Sequence, residues 1–301
     1  MPPLANIDGK LLPLSEVKVS VLDRGFLFGD AIYEVLRVYR GRPWLEDDHF
    51  ARLARSLAEV RITGVDLARL RRRMAETIAA GDFREATVYI QVTRGVAPRA
   101  HAFPPDTPPT EILWVSEFDD PYAEARQSGA AVALYPDIRW DRCDIKSTNL
   151  LGNVLAMQAA KEAGGVEAVL YLPDGTLLEG SHSSFFGVRD GVVRTAPNAP
   201  AILPGCTRGF VLGLAAKLGL RVEERALRRD ELGRVQELFL TGTTTEVLPV
   251  VRVDQQVIGG GKPGPVTRRL QEAYDDAVRN WHGAPASGVA SRSRADRLPP
   301  A

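Results

Sequence analysis

Cysteine is scarce: Cys143 and Cys206 are the only two in 301 residues, too few for a disulfide framework. Histidine is nearly as rare. The four, His49, His101, His182 and His282, show no metal-ligand spacing of the H-E-x-x-H kind, so no metal is expected. Excess charge of either sign is lacking, with 38 Lys plus Arg against 38 Asp plus Glu. Such a balance gives no electrostatic reason to expect nucleic acid or an anionic membrane surface as partner. No run approaches the roughly 18 apolar residues of a membrane helix. The start, Met1-Pro2-Pro3-Leu4, lacks the charged-then-apolar layout of a signal peptide. These absences point to a cytoplasmic protein. Two catalytic signatures are also missing. There is no G-x-S-x-G nucleophile elbow, and Gly259-Gly260-Gly261-Lys262 is followed by Pro263 where a phosphate loop needs Ser or Thr. It reads as a surface turn before a helix.

What is present is an ordinary globular composition, 45% hydrophobic and 25% charged, in a chain long enough for about two domains of roughly 150 residues. Arginine outnumbers lysine, 32 to six, so lysine chemistry has only Lys10, Lys18, Lys146, Lys161, Lys217 and Lys262 as candidates.

The first part reads as strand, strand, helix, helix, strand, strand. Asp8-Gly9 and Arg40-Gly41 have hairpin-turn chemistry. Phe50, Leu53, Leu57 and Val60 give helical spacing over Leu45 to Val60, and Leu67, Leu70, Met74 and Ile78 give it over Asp66 to Ala80. Strands are expected over Ala86 to Thr93 and Glu111 to Phe118, with a proline-rich loop between them from Arg94 to Thr110. A loop of that length in a compact domain is uncommon and often functional. The stretch 119–128 is polar and reads as an interdomain linker. Beyond it come a strand at Ala130 to Tyr135, a helix at Leu150 to Ala163 and paired strands around Asp174-Gly175 and Asp190-Gly191. A helix at Thr207 to Leu218, strands at Gln236 to Leu240 and Val247 to Val253, and a helix at Pro265 to Trp281 complete it. The expected organisation is a small N-terminal domain over 1–118, a linker over 119–128, a larger domain over 129–282 and a disordered tail over 283–301.

Four segments carry potential chemistry. In Asp144-Ile145-Lys146-Ser147-Thr148-Asn149-Leu150 a lysine ends a short extended stretch before an apolar helix. Partial desolvation there would favour the neutral amine, a nucleophile toward carbonyls, although a solvated loop lysine would look the same. In Leu178-Glu179-Gly180-Ser181-His182-Ser183-Ser184 a carboxylate lies against an apolar strand; buried, it needs a cationic partner. Leu203-Pro204-Gly205-Cys206-Thr207 opens a helix, whose free N–H groups suit a phosphate; ordinary capping by Thr207 explains it equally well. Thr241-Gly242-Thr243-Thr244-Thr245-Glu246 sets hydroxyls in a turn between strands.

Amine, buried acid, phosphate cup and hydroxyl turn are the parts of a pyridoxal phosphate site. The chain is similar to the fold-type IV, or class IV, pyridoxal-phosphate aminotransferases, closest to the bacterial D-amino-acid aminotransferases, from about residue 4 to 281. The resemblance rests on Phe28-Gly29-Asp30-Ala31-Ile32-Tyr33-Glu34-Val35, Asp48-His49-Phe50-Ala51-Arg52-Leu53, Val92-Thr93-Arg94-Gly95 and Pro98-Arg99-Ala100-His101. The Asp-Ile-Lys-Ser run, Glu179-Gly180-Ser181 and the Thr-Gly-Thr-Thr turn complete it.

The resemblance implies an α+β fold with a small N-terminal α/β domain and a larger C-terminal pseudo-barrel domain that binds pyridoxal 5'-phosphate. Lys146 matches the Schiff-base lysine and proton shuttle, and Glu179 the acid facing the pyridine nitrogen. Arg52, Cys206, Thr207 and Thr243 match the phosphate grip with Thr244 beside it, and Leu203 the apolar residue against the ring. Tyr33, Arg99 and His101 match the trap for the substrate carboxylate. The Arg-x-His pair is expected to reach in from a neighbouring subunit, which implies a homodimer. His49 and Arg52, three apart on a helix, share a face, and an Arg fork suits phosphate oxygens. Two positions depart from the close relatives: Ser181-His182-Ser183-Ser184 replaces Ser-Ser-Ser-Asn, and Gly242 replaces a serine.

The resulting reading is a D-amino-acid:2-oxo-acid transaminase of ping-pong type. A branched-chain L-amino-acid aminotransferase or an aminodeoxychorismate-lyase-like enzyme of the same fold is the alternative. A cofactor-binding protein without turnover is the reading from another class.

Overall fold

The computed structural model describes residues 2–281; the tail expected to be disordered, 283–301, lies outside them. The chain divides into two compact units. Within the described residues, one runs through Asp119 and takes in Lys146–Thr148, and the other comprises Asp120–Ile145 and Asn149–Trp281.

The first unit is built on six strands, β1 (Leu4–Ile7), β2 (Lys10–Pro13), β3 (Ala31–Tyr39), β4 (Arg42–Pro43), β5 (Glu85–Thr93) and β6 (Thr110–Glu117). They form one antiparallel sheet in the order β2-β1-β6-β5-β3-β4. Three helices accompany it: α1 (Arg24–Phe28), α2 (Glu46–Glu59) and α3 (Leu67–Gly81). The expected periodicity is realised, since α2 buries Phe50, Leu53 and Leu57, and α3 buries Leu70, Met74 and Ile78. The α3 start is fixed by Asp66, which accepts the Arg69 N–H at 2.9 Å. Three acids, Glu46, Asp47 and Asp48, open α2, where the helix dipole favours negative charge. The short α1 was not legible; five residues give no period to read.

The second unit holds α4 (Ala123–Ser128), β7 (Ala130–Pro136), α5 (Leu151–Glu162), β8 (Glu167–Tyr171), β9 (Leu177–Gly180), β10 (Ser184–Arg189) and β11 (Val192–Thr195). It continues with α6 (Cys206–Lys217), β12 (Arg221–Glu224), β13 (Glu237–Gly242), β14 (Glu246–Val253), β15 (Gln256–Val257) and α7 (Pro265–Arg279). The strands run in the order β12-β11-β10-β13-β14-β7-β8-β9, with β15 on β14. Here β14, β7 and β8 are parallel neighbours, and α5 makes the crossover between β7 and β8. It is held by Ala156 and Ala160 against Ala133, Ala168 and Leu170.

That order forces curvature. β9 and β10 stand five places apart in the sheet, about 24 Å if it were flat at ~4.8 Å per strand. Only Ser181, His182 and Ser183 join them, a connection that reaches at most about 14 Å fully extended. The sheet therefore curls until the end of β9 meets the start of β10, and the Gly180 N–H donates to the Ser183 carbonyl at 2.7 Å. The segment that reads as a polar linker carries α4. Among the described residues no helix is long and apolar enough to cross a membrane. The Gly259–Gly261 segment is an exposed 3-10 turn before α7, as its sequence suggested.

Candidate active site

In the first unit Lys146 follows the crossover loop from β7 and is laid along β3. The Tyr33 N–H donates to the Lys146 carbonyl at 2.9 Å, and the Thr148 N–H to that of Ala31 at 3.1 Å. The Lys146 N–H reaches the Ser56 hydroxyl at 3.4 Å. Its ammonium lies 4.3 Å from the centroid of the Tyr33 ring, so the side chain has a fixed aromatic wall. The following helix has no polar cap: α5 begins after Leu150 without a side-chain hydrogen bond.

Behind Tyr33, on the same strand, Glu34 is 1% exposed. Its carboxylate accepts Arg52 Nε and Nη2, both at 2.8 Å, and lies 2.7 Å from His49 Nδ1. Burial alone would raise this carboxyl, but the Arg52 guanidinium and His49 bring it down to about 2. Burial likewise lowers the pKa of His49 and favours its neutral ring. Arg52 is thus aimed by a buried carboxylate, the usual way to hold a guanidinium rigid. Glu34 had a readable signal, a carboxylate inside the mostly apolar strand Ala31–Tyr39, which also carries Arg37; that Arg52 and His49 would pair with it was not readable.

Arg99 and His101 are exposed on the loop between β5 and β6. Both gather on Phe28, Arg99 at 5.3 Å and His101 at 5.5 Å between centres. The loop is tied down by a buried arginine. Arg24, 3% exposed, donates to the carbonyls of Ala100 at 2.6 Å, His101 at 3.3 Å and Ala102 at 3.4 Å. Asp30 holds Arg24 at 2.8 Å and Arg94 through both oxygens. The structure therefore gives Tyr33 beside Lys146, and Arg99 with His101 as an exposed pair on Phe28.

The second unit supplies the acid. Glu179, at the end of β9, is 4% exposed and accepts Arg139 Nη1 at 2.6 Å and the Leu203 N–H at 3.2–3.3 Å. Arg139 is the cationic partner that a buried glutamate requires, and no sequence signal separates it from the other arginines. It is shared, giving Nε and Nη2 to Asp137 at 3.0 and 2.9 Å. Burial consequently prevails over Arg139 and pushes Glu179 up to about 7. The carboxylate is only half compensated and suited to one more positive group.

The phosphate candidates lie on α6 and on the turn between β13 and β14. Thr207 is the second residue of α6, not its cap; Gly205 stands at the cap and makes no side-chain capping bond. Thr243 and Thr244 occupy the turn, half-buried, between Thr241 and Thr245. The hydroxyls of Thr241 and Thr245 are buried with no hydrogen-bond partner among the described residues, a costly state unless something else pairs with them. A helix start capped by glycine, orphaned hydroxyls and a half-compensated carboxylate fit the phosphate and ring nitrogen of the cofactor the resemblance implies. Among the described residues no cluster suited to a metal occurs.

Known proteins resemble this chain over nearly its whole length. It is 41% identical to a D-alanine aminotransferase of Bacillus licheniformis, over 90% of this chain and 95% of that one. It is 37% identical to a D-alanine aminotransferase of Staphylococcus haemolyticus, over 91% and 97%. Among solved structures, the branched-chain amino acid aminotransferase of Escherichia coli aligns with a TM-score of 0.84 at 26% identity, covering 91% of this chain and 93% of that one. The T.th. branched-chain amino acid aminotransferase with pyridoxamine 5'-phosphate gives 0.84 at 29%, with the same coverage. The amino-transferase class IV family matches residues 31–253. The chain belongs to the class IV aminotransferases and has their fold-type IV architecture.

Proposed function

We propose that this enzyme is a pyridoxal 5'-phosphate-dependent transaminase that moves the amino group of a D-amino acid, of D-alanine type, to a 2-oxo acid such as 2-oxoglutarate in a ping-pong cycle. The observation that carries the reading is the exposed Arg99–His101 pair on Phe28, in a chain 41% identical to a D-alanine aminotransferase. The branched-chain enzymes share the fold at 26% and 29% identity, so they support the alternative less.

The cofactor, when bound, supplies the electron sink that makes the substrate Cα–H acidic. In this reading Lys146 anchors it covalently, and its released amine moves the proton at substrate Cα, kept on one face by the Tyr33 ring. Glu179, with Arg139 and Leu203 behind it, holds a proton at the ring nitrogen. Arg52, the N–H groups of Cys206 and Thr207, and the Thr243 hydroxyl hold the phosphate, with Thr244 beside them and Leu203 against the ring. Tyr33, Arg99 and His101 hold the substrate carboxylate. A substrate that had to bury its carboxylate away from these three partners would be penalised, and that penalty makes the site prefer one enantiomer.

A homodimer is part of the reading, with Arg99 and His101 offered to the partner's site. Large apolar side chains left in solvent support it: Phe26 at 73% and Val21 at 69% in the first unit, and Leu151 at 72% on α5. On α5, Leu151, Val154 and Leu155 are all exposed and spaced as one helix face, and a contiguous apolar patch of that kind marks an interaction site. A cytoplasmic location is supported by Cys143 and Cys206, which the structure keeps as thiols. The reading is tested by assaying D-alanine, L-leucine and (R)-phenylethylamine as donors to 2-oxoglutarate. D-alanine is expected to react fastest; faster turnover of L-leucine would replace the D-specific reading with the branched-chain one.

A further inference from the structure

We infer that Glu167 is a positioning residue for the phosphate half of the site, acting through the Ser181–His182–Ser183 turn that it grips; the inference rests on the cofactor reading above.

Glu167 opens β8 and is 1% exposed. Its carboxylate accepts the N–H groups of Ala168 and Ser181, each at 3.0 Å, the Ser181 hydroxyl, and the Ser183 hydroxyl at 2.9 Å. His182 Nδ1 lies 2.8 Å away. Burial would raise this carboxyl, yet His182 and the two serines hold it below its ordinary value. A buried charge in a sheet is seldom worth more to stability than an apolar side chain of the same size. This one has gathered four residues around it, and what it fixes is the tight connection that closes the curled sheet.

The turn has two neighbours that matter to the site. On one side it continues Glu179 through Gly180. A Cβ at Gly180 would lie 2.2 Å from Ser183 Oγ and 3.1 Å from the Glu167 carboxyl, so only glycine leaves room for that bond. On the other side Ser184 pairs with Thr241, which sets the turn against Gly242. A Cβ at Gly242 would stand 3.8 Å from the His182 carbonyl and from Ser183 Cβ, and 2.6 Å from Thr245 Oγ1. One buried carboxylate therefore fixes the wall against which Gly242 rests, at the head of the turn that carries Thr243 and Thr245.

The α4 segment braces the same two turns. Tyr122, at its start, brings its hydroxyl to 3.3 Å from His182 Nε2. Arg126 reaches the Thr244 and Thr245 carbonyls at 3.5 Å and Glu246 at 3.4 Å. His182, half in solvent, is the link between Glu167 and this brace. Its place in the Ser-His-Ser-Ser run thus has a physical role beside Gly242.

The test separates phosphate from ring. Full-length protein freed of cofactor is titrated with pyridoxal 5'-phosphate and, separately, with pyridoxal, for the wild type, Glu167→Gln and His182→Asn. Glu167→Gln is expected to raise the Kd for pyridoxal phosphate about tenfold, ~1.4 kcal/mol, while the Kd for pyridoxal moves less than about twofold. His182→Asn, at a half-exposed position, is expected to weaken pyridoxal phosphate in the same selective way but less, and it carries the test if Glu167→Gln does not fold. Equal weakening of both ligands, or of neither, overturns the inference and leaves the cofactor reading standing. Wild-type protein that takes up neither ligand overturns the cofactor reading and the inference with it.

Discussion

Glu179 shows how one side chain can be read from both ends. Its position at the close of an apolar strand, followed by small polar residues, fits a buried acid but equally an exposed strand-end glutamate; once it is buried, the need for a cation follows from the cost of burial. Which cation could not be read, because Arg139 is one arginine of 32 and reaches Glu179 only through the folding of the crossover loop. The same holds for Glu34 with Arg52, and for Arg24 with the loop carbonyls. Residue types that carry chemistry are legible; the buried charges that aim them come from distant parts of the chain. In the proposed reading, Glu179→Gln removes the charged partner of the ring nitrogen. Turnover is expected to fall roughly ten- to a hundredfold, the kinetic equivalent of the ~1.5–3 kcal/mol of a charge-assisted hydrogen bond. Cofactor content, read by absorbance, is expected to fall far less.

Glu179 also leaves a signature in stability. Its carboxyl is raised from 4.5 to about 7 by burial, so in this pH window the folded chain without cofactor binds more protons than the unfolded one. Stability contributed by the protonated group is therefore full below about 4.5 and is lost as pH rises through about 7. His49, whose pKa is lowered by burial, contributes in the opposite sense, gaining as pH rises. The variant isolates the term: the stability of wild type minus that of Glu179→Gln, from urea unfolding without cofactor, is expected to decline between pH 4.5 and 7. A flat difference would mean that Arg139 already compensates the charge in full.

At the scale of elements, long periodic helices and alternating strands are visible in the sequence because their burial pattern is their sequence pattern. α2, α3 and the β3–β5–β6 core are of this kind. Short elements are not: α1 and α4 span five and six residues, and β12 is an exposed parallel edge. The parallel order of β14, β7 and β8 is likewise a tertiary fact. Yet α1 brings Arg24 to the Ala100–Ala102 carbonyls and α4 braces the turn between β13 and β14, so the elements missed are those that steady the proposed site. Arg24→Ala leaves the Ala100, His101 and Ala102 carbonyls without their donor. It is expected to raise KM for D-alanine and 2-oxoglutarate together by roughly tenfold, with a smaller change in kcat, the pattern of lost uniform binding. Arg99→Ala is expected to give the same pattern more strongly. Steady-state kinetics on both substrates checks it; a rise confined to one substrate would place the loop outside the shared carboxylate site.

At the scale of the whole molecule, the proposed homodimer would account both for the exposed apolar residues and for the surface position of Arg99 and His101. Phe26→Asp puts a charge on a residue 73% exposed, so the isolated fold is expected to tolerate it. Sedimentation is expected to give twice the 32.8 kDa chain mass for the wild type and a larger monomer fraction, with reduced turnover, for the variant. An active wild-type monomer would show that each chain completes its own carboxylate trap.

The central claim is that Lys146 carries the cofactor. Borohydride reduction of the holoenzyme followed by peptide mapping tests it directly. The pyridoxyl group is expected on Lys146, in the peptide containing Asp144-Ile145-Lys146-Ser147. Finding it instead on Lys10, Lys18, Lys161, Lys217 or Lys262 would contradict the assignment.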